Sequence, residues 1–134
     1  MAATGYLLDA NVFIALVVKE HVHHDVARKW YRRHRPALYL CPIVEGALMR
    51  LLVRRGHAAA DGQAVLQQFY NNDRHEFVAD SLSYLDVDVS SVIGHQQVTD
   101  AYLAGLARDL DVKVVTFDAG LQQAHRDVAI AIPT

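Results

Sequence analysis

Short apolar segments typical of β-strands alternate along this sequence with longer segments of helical spacing, and this alternation constrains the fold most. It predicts strands at residues 6–8, 38–41, 76–78, 112–116 and 128–132, and helices at residues 12–18, 22–33, 42–53, 61–71, 100–110 and 119–124. Strands that alternate with helices in this way join through right-handed crossovers into a mostly parallel sheet that is covered on both faces. The predicted fold class is therefore α/β, a three-layer α/β/α sandwich with a mostly parallel central sheet.

Three of these predicted helices begin beside a residue able to cap them. The residues are Asn11 for the first helix, Thr99 for the fifth and Asp118 for the sixth. Short polar side chains at such positions accept hydrogen bonds from the free backbone N–H groups of the first helical turn. Residues 80–95, by contrast, show only a weak pattern, and we assign no element to them.

The size and composition of the chain fit one globular unit. It has 134 residues, of which 52% are hydrophobic, and this is too apolar for disorder. Cys41 is the only cysteine, which excludes an internal disulfide and favours a reducing, cytoplasmic compartment. The start of the chain lacks the basic segment of a signal peptide, and the apolar run 12–18 falls far short of the roughly 20 residues of a membrane span. We therefore expect neither export nor membrane insertion.

Carboxylates follow the predicted strands, where an open parallel sheet places its functional sites. Asp9 directly follows the first strand, Glu45 lies in the first turn of the helix after the second, and Asp100 opens the fifth helix. Asp118 lies just past the end of strand 112–116. Ligands of open α/β sheets bind beyond the carboxyl ends of the strands, so we expect these four side chains to converge.

Each of these acids also has an ordinary structural explanation. Aspartate is a preferred cap, and an acid in a first helical turn gains about 0.3–1 kcal/mol from the helix macrodipole. Glu45 fits that explanation least, because Leu48, Met49 and Leu52 follow at the spacing of one apolar helix face. A carboxylate on an inward-looking face needs a partner.

Several carboxylates at one edge repel one another, so either some of them are protonated or a cation neutralises their charge, and no Lys or Arg lies in the same segments to do so. Carboxylate oxygens suit Mg²⁺ or Mn²⁺, whereas Zn²⁺ more often recruits Cys or His. A metal of this kind supports phosphodiester hydrolysis by activating water and stabilising the leaving oxygen. Asn11 and Thr116 are candidates for holding Asp9 and Asp118 in place, with helix capping and turn formation as the equally good alternative.

Two other classes of protein that use an aspartate after the first strand fit poorly. Phosphatases with an aspartyl nucleophile usually have a second Asp two positions later, where this sequence has Asn11. A phospho-acceptor receiver domain needs an acidic pair near its first strand, and only Asp9 is present there.

Four segments in order along the chain resemble the PIN-domain nucleases. They are LLDAN at 7–11, PIVEG at 42–46, VTDAYL at 98–103 and TFD at 116–118. Any one of them is a weak signal, but four in this order are specific. The resemblance covers the whole chain, and residues 94–121 are particularly similar to the VapC toxins of bacterial toxin–antitoxin modules.

The resemblance implies a single PIN domain over residues 1–134 with a PIN-like fold. It further implies a Mg²⁺- or Mn²⁺-dependent endoribonuclease whose quartet of metal-binding and catalytic acids corresponds to Asp9, Glu45, Asp100 and Asp118. A homodimer, an inhibitory VapB-like antitoxin and a tRNA or rRNA substrate whose cleavage arrests translation are implied with it. The alternative is a non-catalytic PIN-like module that binds RNA or a partner, although such a module would not need four metal-type acids.

Positive charge is concentrated in the first part of the chain. Residues 1–57 hold nine Lys and Arg against four acids, whereas residues 58–134 hold four against eleven. A nuclease needs positive charge for the substrate phosphates around an acidic centre, and a solvated helix face is the ordinary alternative. The resemblance favours RNA contact, for which the candidates are Arg28, Lys29, Arg32, Arg33 and Arg50.

A cluster of histidines precedes this basic segment. His21, His23 and His24 have no Cys and no fixed metal-ligand spacing beside them. They therefore predict a polar connection between two helices rather than a metal site.

Overall fold

The computed structural model describes residues 5–134 and has one sheet of five strands with helices between them. The strand order is β3-β2-β1-β4-β5, and the four neighbouring pairs are all parallel. The strands are β1 (Gly5–Leu8), β2 (Ala37–Leu40), β3 (His75–Phe77), β4 (Lys113–Thr116) and β5 (Ala129–Ala131). The helices are α1 (Ala10–Val17), α2 (His24–His34), α3 (Pro42–Arg54), α4 (Ala59–Tyr70), α5 (Gln97–Leu110) and α6 (Ala119–Ala124).

The direction of winding reverses between β1 and β4. From β1 the chain steps outward through β2 to β3, then returns through α5 to β4 on the other side of β1 and continues to β5. Right-handed crossovers therefore place α1–α4 on one face of the sheet and α5 and α6 on the other. In agreement, α1 packs against α2 and α3, and α3 packs against α4. The predicted three-layer α/β/α fold with a parallel sheet is confirmed, and its topological switch point lies between β1 and β4.

The two central strands are apolar because both of their faces are covered. Leu7 and Leu8 of β1 pair with Val114 and Val115 of β4, and all four side chains are fully buried. Strands buried on both faces read as continuous apolar runs rather than alternating ones. This pairing fixes the relative positions of the residues that follow the two strands.

The predicted elements all form, with ends that shift by a few residues and two caps that differ. The prediction that Asn11 caps α1 was wrong: Asp9 is the cap, and Asn11 lies exposed within the first turn. The prediction that Thr99 caps α5 was also wrong, because α5 already begins at Gln97. Asp118 caps α6 as predicted. An Asp placed directly after a strand accepts from the nearest free N–H groups, so α1 starts earlier than its apolar pattern suggests.

The segment without a clear pattern contains one turn of 3₁₀ helix, Tyr84–Asp86. Two contacts hold this region against α5. Val87 is buried and packs against Gly105, where a Cβ atom would lie 3.2 Å from Val87 Cγ2. The Tyr102 hydroxyl donates to the carbonyl oxygen of Leu82 at 3.0 Å and accepts from its backbone N–H at 3.2 Å. Tertiary contacts rather than local periodicity therefore order this segment.

None of the helices within residues 5–134 has both the length and the apolar character needed to cross a membrane.

Truncating the buried face of α5 tests the core. Leu103 is 0% exposed, so we expect Leu103→Ala to lower the free energy of unfolding by about 2–5 kcal/mol through lost apolar burial and a residual cavity. Leu110 ends the same helix at 37% exposure, and we expect Leu110→Ala to cost less than about 1 kcal/mol. Urea denaturation followed by circular dichroism measures both, and equal losses would contradict the described packing of α5.

Candidate active site

Asp9 stands at the carboxyl end of β1 and is fixed by two hydrogen bonds. Its Oδ1 accepts from the backbone N–H of Ala10 at 2.8 Å, which is the cap of α1. Its Oδ2 accepts from the Thr116 hydroxyl at 2.7 Å, across the β1–β4 pairing. The carboxylate is thus held by donors from both strands of the switch point, with its residue half-buried.

Thr116 joins this aspartate to the loop that carries the next one. Its side chain is fully buried at the end of β4, and its Oγ1 also accepts from the backbone N–H of Asp118 at 2.9 Å. Asp118 Oδ1 in turn accepts from the N–H groups of Gly120 at 2.7 Å and Leu121 at 3.4 Å, which caps α6. The Thr116 hydroxyl therefore bonds both Asp9, which follows β1, and the loop of Asp118, which follows β4.

Asp100 completes a group of three acids that influence one another. It lies half-buried in the first turn of α5, and its pKa is raised to about 6, chiefly by burial and further by the charges of Asp9 and Asp118. Burial also raises the pKa of Asp9, against the hydrogen bonds from Thr116 and Ala10, and the charge of Asp118 adds to the rise. The structure thus brings together three of the four predicted acids.

Glu45 is held differently from the other three. It lies half-buried in the first turn of α3, and its Oε2 accepts a hydrogen bond from the Tyr70 hydroxyl at 2.8 Å. Burial and the Glu45 carboxylate raise the pKa of Tyr70, so this hydroxyl stays a proton donor at neutral pH. Glu45 is not among the charges that raise the pKa of Asp100. The sequence did not indicate Tyr70 as its partner, because the two residues lie on different helices.

The acids fit a hard divalent cation by their chemistry and charge, although they do not form a closed cage. Within residues 5–134, no three His, Cys, Asp or Glu side chains are grouped closely enough to hold a metal ion. Neither of the two ion pairs within the described chain involves Asp9, Asp100 or Asp118, so their repulsion has no counter-charge from Lys or Arg there. Mg²⁺ keeps several waters and commonly binds through one or two carboxylates, which this arrangement can supply.

The two predicted supporting residues have different surroundings. Thr116 makes the contacts just described, whereas Asn11 is exposed and its side chain makes no hydrogen bond within the described part of the chain. The difference follows from the start of α1, since the helix turns the side chain of its second residue away from the strand end.

The basic candidates spread over two helices. Lys29, Arg32 and Arg33 are exposed on α2, and Arg28 is half-buried beside the Tyr31 ring. Arg32 lies eight residues beyond the start of α2, about 12 Å along the helix axis and toward the opposite edge of the sheet. Arg50 is nearer to the acids, because its Nη1 lies 3.2 Å from the position of a Cβ on Gly46, the neighbour of Glu45.

The histidine segment lies against the acidic edge, which the sequence did not predict. The His23 ring contacts the Phe117 ring with centroids 5.1 Å apart, and Phe117 stands between Thr116 and Asp118. His21 Nδ1 accepts from the His23 backbone N–H at 3.0 Å. The connection between α1 and α2 therefore forms one wall beside the carboxylates. A feature of the sequence that could have indicated this contact is the aromatic Phe117 within the TFD segment.

A cavity of about 560 Å³ lies apart from the acids. None of the four predicted acids lines it, and its walls come from α1, α2, α4 and the two strands on that side of the sheet. Its polar lining includes Lys19, His24, Arg28, Tyr31, Asn72 and His75.

Comparison with known proteins agrees with this geometry. The sequence profile described as the PIN domain matches residues 6–127. Ribonuclease VapC29 of Mycobacterium tuberculosis is 52% identical over 128 residues, covering 96% of each chain, and ribonuclease VapC38 of the same species is 36% identical over 121 residues, covering 86% of each. The chain therefore belongs to the PIN-domain family, within its VapC group.

A solved structure shows the same fold at low sequence identity. VapBC2 from Rickettsia felis, crystallised with a DNA fragment from its promoter, matches with a TM-score of 0.68 and 16% identity, covering 97% of this chain and 100% of that one. At this identity the match concerns the fold alone, and it confirms the PIN-like architecture.

Burial of Asp100 and its repulsion by Asp9 and Asp118 should make the metal-free protein sensitive to pH. The pKa of Asp100 is raised from 3.8 to about 6 in the folded state, so the folded state loses stability as pH rises through this range. We expect Asp100→Asn to raise the melting temperature in EDTA at pH 7.5 by about 3 °C, a small value because the residue is half exposed, and to change it little at pH 4.

Asp109→Asn is the matched control, since it removes an exposed acid from the same helix. Differential scanning fluorimetry at both pH values measures the effect. A destabilised Asp100→Asn variant at pH 7.5, or a gain shared by the control, would contradict the raised pKa of Asp100.

Proposed function

We propose that this protein is a Mg²⁺- or Mn²⁺-dependent endoribonuclease, the toxin of a toxin–antitoxin module. The observation that carries the proposal is the buried Thr116, which bonds both Asp9 and the backbone of Asp118 at the switch point of the sheet. Asp100 lies near enough for the charges of both acids to raise its pKa. Open parallel sheets bind their ligands at that place. The relatives that carry the name ribonuclease support the same activity.

In this proposal Asp9, Asp100, Asp118 and Glu45 are the catalytic and metal-binding acids. When bound, the divalent cation would lower the pKa of a water and stabilise the negative charge on the leaving oxygen of the phosphodiester. Thr116 holds Asp9 and the Asp118 loop in register before any metal or RNA binds. Preorganisation of this kind reduces the free-energy cost of orienting the carboxylates during the reaction. We keep Asn11 as a supporting candidate because it lies in the turn of α1 next to Asp9.

The proposed substrate is structured RNA, either tRNA or rRNA, whose cleavage would arrest translation. Arg50 beside the first turn of α3 and Arg28, Lys29, Arg32 and Arg33 on α2 are proposed to contact its phosphates. None of the five forms an ion pair within the described residues, so their charges are available to an anionic ligand.

The proposed partner is a VapB-like antitoxin that inhibits the enzyme. The structural match to VapBC2, a toxin–antitoxin pair, supports this assignment. We further propose that residues 1–134 form a single PIN domain, which the family match over residues 6–127 supports. We also propose that it acts as a homodimer, as the resemblance to the VapC toxins implies. The single, buried cysteine supports our placing it in the cytoplasm.

Cleavage of RNA by the purified protein tests the activity. We expect antitoxin-free protein to cut total cellular RNA into discrete fragments in Mg²⁺ or Mn²⁺, and mapping of the fragment ends identifies the RNA. EDTA and Asp9→Asn should each abolish the fragments, since EDTA removes the metal ion and the substitution removes one of its proposed carboxylate ligands. Asp109→Asn, which removes an exposed acid away from the switch point, should leave the fragment pattern intact.

Two results would count against the activity. One is RNA that stays intact with the native protein, and the other is equal cleavage by Asp9→Asn, which indicates a contaminating nuclease. Either would favour a non-catalytic module that binds RNA or a partner.

A further inference from the structure

Within the described residues, Glu45 receives one side-chain hydrogen bond, and its donor is the hydroxyl of Tyr70. The donor lies on α4 and the acceptor on α3, with 2.8 Å between the Tyr70 hydroxyl oxygen and Glu45 Oε2. Neither ion pair of the described chain involves Glu45. A glutamate without such a bond can rotate about three side-chain torsions, and fixing a long side chain costs rotamer freedom. The bond therefore selects one orientation of the carboxylate.

The end of α4 is fixed tightly enough for Tyr70 to act as a rigid donor. The neighbouring Phe69 is buried, and its ring packs edge-on against Phe13 with centroids 5.1 Å apart. It also stacks on the His75 ring at 4.1 Å. The Tyr70 ring packs edge-on against Phe69 at 5.4 Å, which limits the positions that its hydroxyl can take.

The contact between α3 and α4 brings donor and acceptor together. Gly62 of α4 is buried against Met49 of α3, and a Cβ on Gly62 would overlap Met49 Sδ. The absence of a side chain at this position lets the two helices approach closely. Tyr70 lies eight residues further along α4, and Glu45 lies four residues before Met49, so the hairpin aligns the end of α4 with the first turn of α3.

We propose that Tyr70 is a positioning residue for the nuclease reaction, acting through Glu45 by holding Oε2 and thereby directing the rest of the carboxylate. This inference depends on the proposed function, because it assigns a reaction role to Glu45. Glu45 Oε1 receives no side-chain hydrogen bond within the described residues and stays free for substrate, water or metal. A tether that merely joined α3 to α4 would contribute to stability but would not affect turnover.

Turnover by Tyr70→Phe separates these two roles. We expect kcat for a cleavable RNA to fall by about tenfold to a hundredfold with KM nearly unchanged. Removing an outer residue that orients a metal ligand typically lowers activity by this factor. Tyr31→Phe is the matched control. Like the Tyr70 hydroxyl, the Tyr31 hydroxyl forms side-chain hydrogen bonds. Its partners are His75 at 2.9 Å and Asn72 at 3.2 Å, and it bonds none of the four acids. We expect this control to keep its kcat.

A double-mutant cycle with Glu45→Gln tests whether Tyr70 acts through Glu45. If it does, Tyr70→Phe slows the native enzyme but has no further effect on an enzyme that already carries Glu45→Gln. An equal effect in both backgrounds, or an unchanged kcat for Tyr70→Phe in active native protein, would overturn the positioning role alone. Thermal unfolding of all four proteins shows that each is folded.

Failure of the proposed function gives a different result. Native protein that does not cleave RNA, or that cleaves it equally well with Asp9→Asn, would overturn the nuclease assignment and the role of Tyr70 with it. Activity that depends on Asp9 but not on Tyr70 would overturn only the inference about Tyr70.

Discussion

Parallel pairing of β1 with β4 is the constraint on which the rest of the candidate site depends. It places Asp9 and Thr116 at the same edge of the sheet, where the hydroxyl donates to Asp9 at 2.7 Å and accepts from the Asp118 backbone at 2.9 Å. The apolar runs of both strands fix this register by burying their side chains completely. The same core packing that stabilises the sheet therefore sets the distances among the acids.

The fold tolerates unfavourable charge at this edge. Burial and mutual repulsion raise the pKa values of Asp9 and Asp100, which shows that the ionised pair is disfavoured in the free protein. Helix capping offsets part of this cost, since Asp9 and Asp118 each accept from backbone N–H groups at a helix start. A divalent cation would remove the remaining repulsion, so one set of contacts accounts for both the local structure and the proposed metal dependence.

Much of the fold could be predicted from the sequence because local patterns carry it. Apolar runs and helical spacing predicted the five strands and the six α-helices, and carboxylates after the strands predicted the location of the candidate site. The cap of α1 was predicted wrongly because Asp9 and Asn11 can both accept from the first free N–H groups, and that of α5 because the helix begins at Gln97 without a side-chain cap. Pairs between distant elements left no local signal: Tyr70 with Glu45 and His23 with Phe117 depend on how helices and loops pack.

Anomalous X-ray diffraction from crystals soaked in Mn²⁺ would show whether the acids at the switch point form a cation site. We predict an anomalous peak bonded to Asp9 and to at least one of Asp100 and Asp118. Saturating Mn²⁺ that gives no peak at these carboxylates, or only a peak elsewhere such as beside the histidines of residues 21–24, would contradict it.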